Sequence, residues 1–195
     1  MIKQMFAPCM AVMLLANCAG NPQAPSRTAA ESQTEPADGI VIEAEENFDS
    51  GIAECVRAYF DAVGASDYEA YCRTVYPPYS EAYAKYTEKQ GDSPQKAFQK
   101  LHDRFNEDGY DSWRFTRLAL SDYPNPDTDA FFEAYRNWEI IDDKFIADAK
   151  ADAKEIRHIR FSLYARYAGD SEDTPVLRSS EMLIIRNDSG TFVMG

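Results

Sequence analysis

The sequence predicts an α+β domain: a helical hairpin and a third helix in the first half, long antiparallel strands in the second, and a helical insertion between. Three observations carry this. Between Ile52 and Val75 apolar residues recur at steps of three and four, the period of an amphipathic helix. From about Asp152 the period falls to two, in successive runs separated by polar, glycine-containing turns. Between these stretches Phe131, Trp138 and Phe145 repeat every seven residues with Ala134 and Ile141 among them, which reads as an inserted helix over residues 128–150.

Ahead of the domain come two segments of different composition. Residues 1–17 hold one early Lys and an apolar run from Met5 to Ala16, the layout of a secretory signal. That run is too short for a spanning helix, which needs about 20 apolar residues. Leu15, Ala16, Asn17 and Cys18 resemble the bacterial lipoprotein box, with Asn17 standing where Gly, Ala or Ser is usual. The resemblance implies a lipid on Cys18, hence an extracytoplasmic protein anchored at the cell envelope; cleavage just past Cys18 with release of a soluble protein is the alternative. Residues 18–46 hold three prolines, one Arg and no aromatic residue, too little apolar surface to offset the entropy of ordering. They read as a flexible tether spanning roughly 25 to 30 Å. Ile40, Val41 and Ile42 are its only apolar cluster, and a loose end is expected there.

The domain proper is expected over residues 47–195, with residues 121–150 as its insertion. In the first helix Ile52, Cys55, Val56, Tyr59, Phe60 and Val63 share a face, and Gly64 is placed to end it. Ser66 with Glu69 forms a capping box for a short second helix that runs to about Val75 and stops at Pro77 and Pro78. A third helical piece, Glu81 to Gln90, closes at Gly91. Ser93 and Pro94 open a fourth, on which Phe98, Leu101 and Phe105 share a face before Gly109. Trp113, Phe115 and Arg117 alternate with Arg114, Thr116 and Leu118 in a strand. After the insertion Ile159, Phe161, Leu163 and Ala165 alternate with His158, Arg160, Ser162 and Tyr164. Val176 to Arg186 and Thr191 to Met194 complete three consecutive antiparallel strands.

The order of these elements, with VRAYFDAVGASDYEAYC near the start and RNDSGTFVM at the end, resembles the nuclear transport factor two-like superfamily. The resemblance implies a cystatin-like cone, in which a curved antiparallel sheet wraps the helices, and a pocket in that cone. Some members are ketosteroid isomerases, polyketide cyclases or dehydratases, and many only bind. Tyr59 aligns with the oxyanion-stabilising tyrosine of the isomerases. Their proton-moving carboxylate has no counterpart here, because Pro77, Pro78 and a Tyr-rich segment follow the second helix and Glu81 is the nearest acid. One Tyr without a base makes no isomerase.

The formal net charge of −13 excludes nucleic acid as a partner, since binding phosphates needs clustered Lys and Arg. His102 and His158 are the only histidines, which leaves little for a zinc site or a Ser-His-Asp arrangement, and no metal or cofactor is expected. Tyr59, Trp113, His158 and Tyr164 are candidates to line a pocket, with Trp138 and Tyr135 as further aromatic wall; core packing accounts for the aromatics equally well. Cys55 and Cys72 sit at nearly matched heights on the two arms of the hairpin. Helices pack about 8 to 10 Å apart while a disulfide wants Cα atoms within about 7 Å, so either a bridge or two buried thiols fits. The expected role is binding or assembly at the envelope. The partners are the membrane, a small apolar ligand or an envelope protein, and a second copy through the sheet. An isomerase- or dehydratase-like enzyme and a structural partner of another envelope protein are the alternatives.

Overall fold

Helix α1 (Ser50–Gly64) opens on Asp49, whose carboxylate accepts the amide of Ile52 at 2.9 Å and satisfies one of the free N–H groups of the first turn. The same Oδ1 holds the guanidinium of Arg186 at 2.8 Å, which ties the helix start to a distant strand. Ile52, Val56, Tyr59, Phe60 and Val63 are all buried, as the periodicity of the segment predicts. These coordinates are a computed structural model in which residues 39–194 are described; Cys18 and most of the expected tether lie outside the described residues.

The helix ends by a different residue from the one expected. Ser66 takes the left-handed conformation (φ 54), with its amide bonded to Val63 O and that of Asp67 to Ala62 O. This is the paired closure usually built on glycine. Gly64 is instead the last helical residue, and a Cβ there would stand 3.1 Å from Cδ2 of Phe115, so its role is close approach to the sheet. The capping box of Ser66 and Glu69 is therefore not formed. Asp67 caps α2 (Tyr68–Thr74) by accepting the amide of Ala70 at 2.9 Å.

Pro77 and Pro78 begin α3 (Pro77–Lys89) rather than only stopping α2, since proline in a first turn has no amide to leave unpaired. Gly91 (φ 77) follows it, and Ser93 caps α4 (Pro94–Asp103) through the amide of Lys96 at 3.3 Å. A 3₁₀ turn, Arg104–Asn106, leads on toward the sheet.

The sheet has five strands in the order β1-β2-β3-β4-β5 and is not closed. They are β1 (Val41–Ala44), β2 (Trp113–Asp122), β3 (Glu155–Tyr167), β4 (Thr174–Asn187) and β5 (Gly190–Met194). With six α-helices among the described residues, the domain is mixed α+β. Strands β2 to β5 run antiparallel, but β1 pairs with β2 in parallel, so the sheet is mixed where a purely antiparallel one was expected. The apolar cluster at Ile40 to Ile42 is correspondingly no loose end: Ile40 is buried and Val41 and Ile42 enter the ladder.

A register shift between Phe115 and Arg117 lets Phe115 face inward together with Leu118 and Leu120, which strict alternation would place on opposite sides. Phe60 of α1 meets Phe115 at 5.9 Å and Phe161 of β3 at 5.3 Å, so this is the sheet face under the helices.

The insertion is two helices, not one. After α5 (Thr128–Asn137), Glu139 takes φ 60, the amide of Ile140 bonds to Tyr135 O, and the chain turns. Asp142 then caps α6 (Asp143–Asp152) through the amide of Phe145 at 2.7 Å.

Candidate functional site

The four residues expected to line one pocket lie apart from one another. Tyr59 is 3% exposed, packed on Phe60 and on Tyr71 of α2 at ring distances of 5.0 and 5.3 Å. Tyr79 of α3 lies edge-on to Tyr135 of α5 at 5.6 Å. The hydroxyls of Tyr59 and Tyr71 hydrogen-bond, as do those of Tyr79 and Tyr135. Burial pushes all four phenols well above their ordinary range. The space beside Tyr71 and Tyr79 amounts to about 20 Å³, room for about one water.

Trp113 packs on His102, Phe105 and Phe115 at the far end of β2, with His102 Nδ1 2.8 Å from Val63 O. Tyr164 lies on the opposite sheet face under the guanidinium of Arg117, 3.5 Å from its ring centre. Of the four, Trp113 borders a shallow cleft of about 200 Å³ beside Ile40 and Gly64, and His158 lines a larger one with an aromatic wall.

That cleft, of about 360 Å³, lies between α5 and the start of β3, within the roughly 300 to 1,000 Å³ of small-molecule sites. Phe131 and Tyr135 line it from α5 and Trp138 from the cap that closes that helix, spaced so that all three fall on one side, and Tyr123 lines it from the loop after β2. Tyr123 stacks on His158 at 4.1 Å and 7°, and Phe131 stands edge-on to the same imidazole at 5.5 Å. Arg160 and Glu181, directly paired across β3 and β4, complete the polar side. No family model, curated protein or solved structure matches this chain.

His158 is 5% exposed, and both of its nitrogens are engaged. The amide of Asp127 donates to Nδ1 at 3.4 Å, which leaves Nε2 to carry the proton and donate to Glu181 Oε2 at 3.1 Å. The imidazole thus brackets the loop that launches α5 onto the sheet, rather than offering a free nitrogen to a substrate. Arg160 holds its guanidinium 4.9 Å from the ring centre of Tyr123. A wider groove of about 690 Å³ between α3 and the α5–α6 segment is lined by Glu81, Lys85, Lys89, Arg136 and Asp148, a charged face of the ordinary solvated kind.

Tyr135, Trp138 and His158 were legible as candidates, whereas Tyr123, Phe131 and Glu181 were not. Residues from a loop, a helix and strand β4 meet here only through the β3–β4 register and the break at Glu139. The signals available were the rarity of histidine and the alternation that sets His158 and Arg160 on the polar side of their strand.

Cys55 and Cys72 are unbridged here, and both are half-buried. Cys55 Sγ donates to Thr191 O at 3.2 Å, and burial raises its pKa to about 11. Cys72 is hydrogen-bonded to the hydroxyl of Tyr68 on its own helix. Among the described residues no group of three or more His, Cys, Asp and Glu is placed to hold a metal ion.

Proposed function

We propose that this protein is a ligand-binding module of the cell envelope, tethered outside the cytoplasm by lipid on Cys18 and taking a small apolar ligand in the cleft between α5 and β3. The observation that carries the reading is the cleft itself: aromatic side chains from two elements around about 360 Å³, with one guanidinium and one His–Glu pair at its edge. An apolar wall with a few fixed polar groups is how ligand sites obtain both affinity and orientation.

The alternative enzyme would need a base at hydrogen-bond distance from its substrate. His158 spends one nitrogen on a backbone amide and the other on Glu181, and Tyr59 is enclosed by Phe60 and Tyr71. Binding therefore suits the arrangement better than proton transfer. As the finer architecture we propose the cone of the nuclear transport factor two-like superfamily. Its support is α1 lying on one face of the β2–β5 sheet, with buried tyrosines of α1, α2, α3 and α5 packed on one another beside it.

Native mass spectrometry of the purified protein tests the binding role by detecting a co-purifying small molecule. Trp138→Ala with Phe131→Ala should release it; retention by that double variant places the ligand elsewhere and sinks the proposal. For the anchor, Cys18→Ser should move the protein out of the membrane fraction, and unchanged membrane association would rule the lipid out.

A further inference from the structure

We propose that the ligand of this cleft is an amphipathic monocarboxylate, its acid group held by Arg160 and its apolar body against Phe131 and Trp138. The inference rests on the binding reading above and goes beyond it in naming the ligand's chemistry.

Arg57, Arg117, Arg136, Arg157, Arg166 and Arg186 are half-buried, and each holds a carboxylate within 3.0 Å. Arg160 is half-buried too, yet no carboxylate lies within ion-pair distance of it among the described residues. In a chain of net charge −13, acids are plentiful enough that a half-withdrawn guanidinium without one stands apart. Withdrawing a charge from water costs free energy unless a partner compensates it.

The natural partner would be Glu181, directly opposite on β4, but its Oε2 is turned to Nε2 of His158. Asp127, the other acid lining the cleft, accepts the amide of Ala130 at 2.8 Å as the cap of α5. Both acids thus have partners of their own, while the fork of Arg160 is steadied beside the ring of Tyr123. A planar guanidinium matches the two oxygens of a carboxylate. A dianion such as a phosphate monoester would meet Glu181 and Asp127 with twice the repulsion, which favours the singly charged acid. The aromatic lining then receives whatever apolar group the acid carries.

Calorimetric titration of the purified full chain with 2-naphthoate, 2-naphthamide and 2-naphthylmethylamine separates the outcomes. The expected result is that naphthoate binds at least about tenfold more tightly than the amide, as a charge-assisted pair requires. Arg160→Gln should bring the two level, and Arg160→Lys should keep part of the preference. Glu181→Gln, which retains an acceptor for His158, should tighten naphthoate further. Arg160→Gln breaks no internal ion pair and gives up only the ring contact with Tyr123, so its melting temperature should stay within a few degrees of the parent's and its binding loss is not a folding defect. Naphthoate binding no better than the amide, a preference that survives Arg160→Gln, or tightest binding of the amine each overturns the inference while leaving a binding cleft in place. If none of the three binds, the cleft reading falls with it.

Discussion

Replacing Asp49 separates two contributions that one carboxylate makes to the start of α1. It caps the helix through the amide of Ile52, and it pairs with Arg186 of β4 at 2.8 Å. Removing a cap costs about 1 kcal/mol. A pair in which each side chain keeps 31% exposure is worth about 0.5 kcal/mol, near the value for surface ion pairs. Asp49→Ala should therefore lose about 1.5 kcal/mol, and Asp49→Asn, which caps as well as Asp, only about 0.5 kcal/mol.

The pH dependence has a definite sign. The amide of Ile52 first, and Arg186 after it, hold the Asp49 carboxyl below its ordinary value of 3.8. A depressed folded pKa contributes stability above the unfolded value and loses it as pH falls through the folded one. The gap between the parent and Asp49→Asn should accordingly be full at pH 7 and close once the pH is well below 3.8. Urea denaturation followed by circular dichroism at both pH values measures it. Equal losses for the Ala and Asn variants would refute the capping role, and a gap unchanged by acid would refute the ionic one.

Gly64→Ala gains about 1 kcal/mol of helix propensity but sets a Cβ 3.1 Å from Phe115, which is hemmed by Phe60, Phe105 and Trp113. A net loss of about 1 kcal/mol is expected by urea denaturation, relieved when Phe115→Leu is added. Tyr79→Phe leaves the hydroxyl of Tyr135 without its buried partner and should cost about 1 to 3 kcal/mol. The double variant with Tyr135→Phe should lose less than the sum of the singles, as a double-mutant cycle reads directly. In alkali the phenols of Tyr59, Tyr71, Tyr79 and Tyr135, all raised by burial, contribute stability below the unfolded value of 10.0 that is lost as pH rises above it. Their phenolate absorbance should appear together with unfolding, after the exposed tyrosines have titrated.

Three helix ends show what the sequence discloses and what it hides. Each closes with one residue in the left-handed conformation: Gly91 after α3, Ser66 after α1 and Glu139 after α5. Glycine announces that conformation because it alone adopts it without strain, so the end at Gly91 was legible. Ser66 and Glu139 carry no such mark, so the local pattern points to Ser66 instead of Asp67 as the cap of α2 and runs the insertion on as one helix. Strand alternation was read correctly in β3, where every second residue from Ile159 to Ala165 is buried, and failed in β2 at the bulge. A bulge is decided by the partner strand's register, which no local pattern contains.

The candidate site was less legible than the fold. His158 was singled out by its rarity. The isolation of Arg160, by contrast, depends on where Glu181 turns, a fact of the β3–β4 pairing rather than of composition.

Cys55 matters in a way unconnected with any bridge. The outer margin of β5 presents carbonyl oxygens to whatever strand comes next, and an open margin of this kind templates chain-to-chain stacking. Here the thiol of Cys55 occupies the carbonyl of Thr191, and the amide of Tyr76 occupies that of Val193 at 2.8 Å. A side chain from the first helix and the two residues leading into α3 thus blunt the sheet where it would otherwise polymerise.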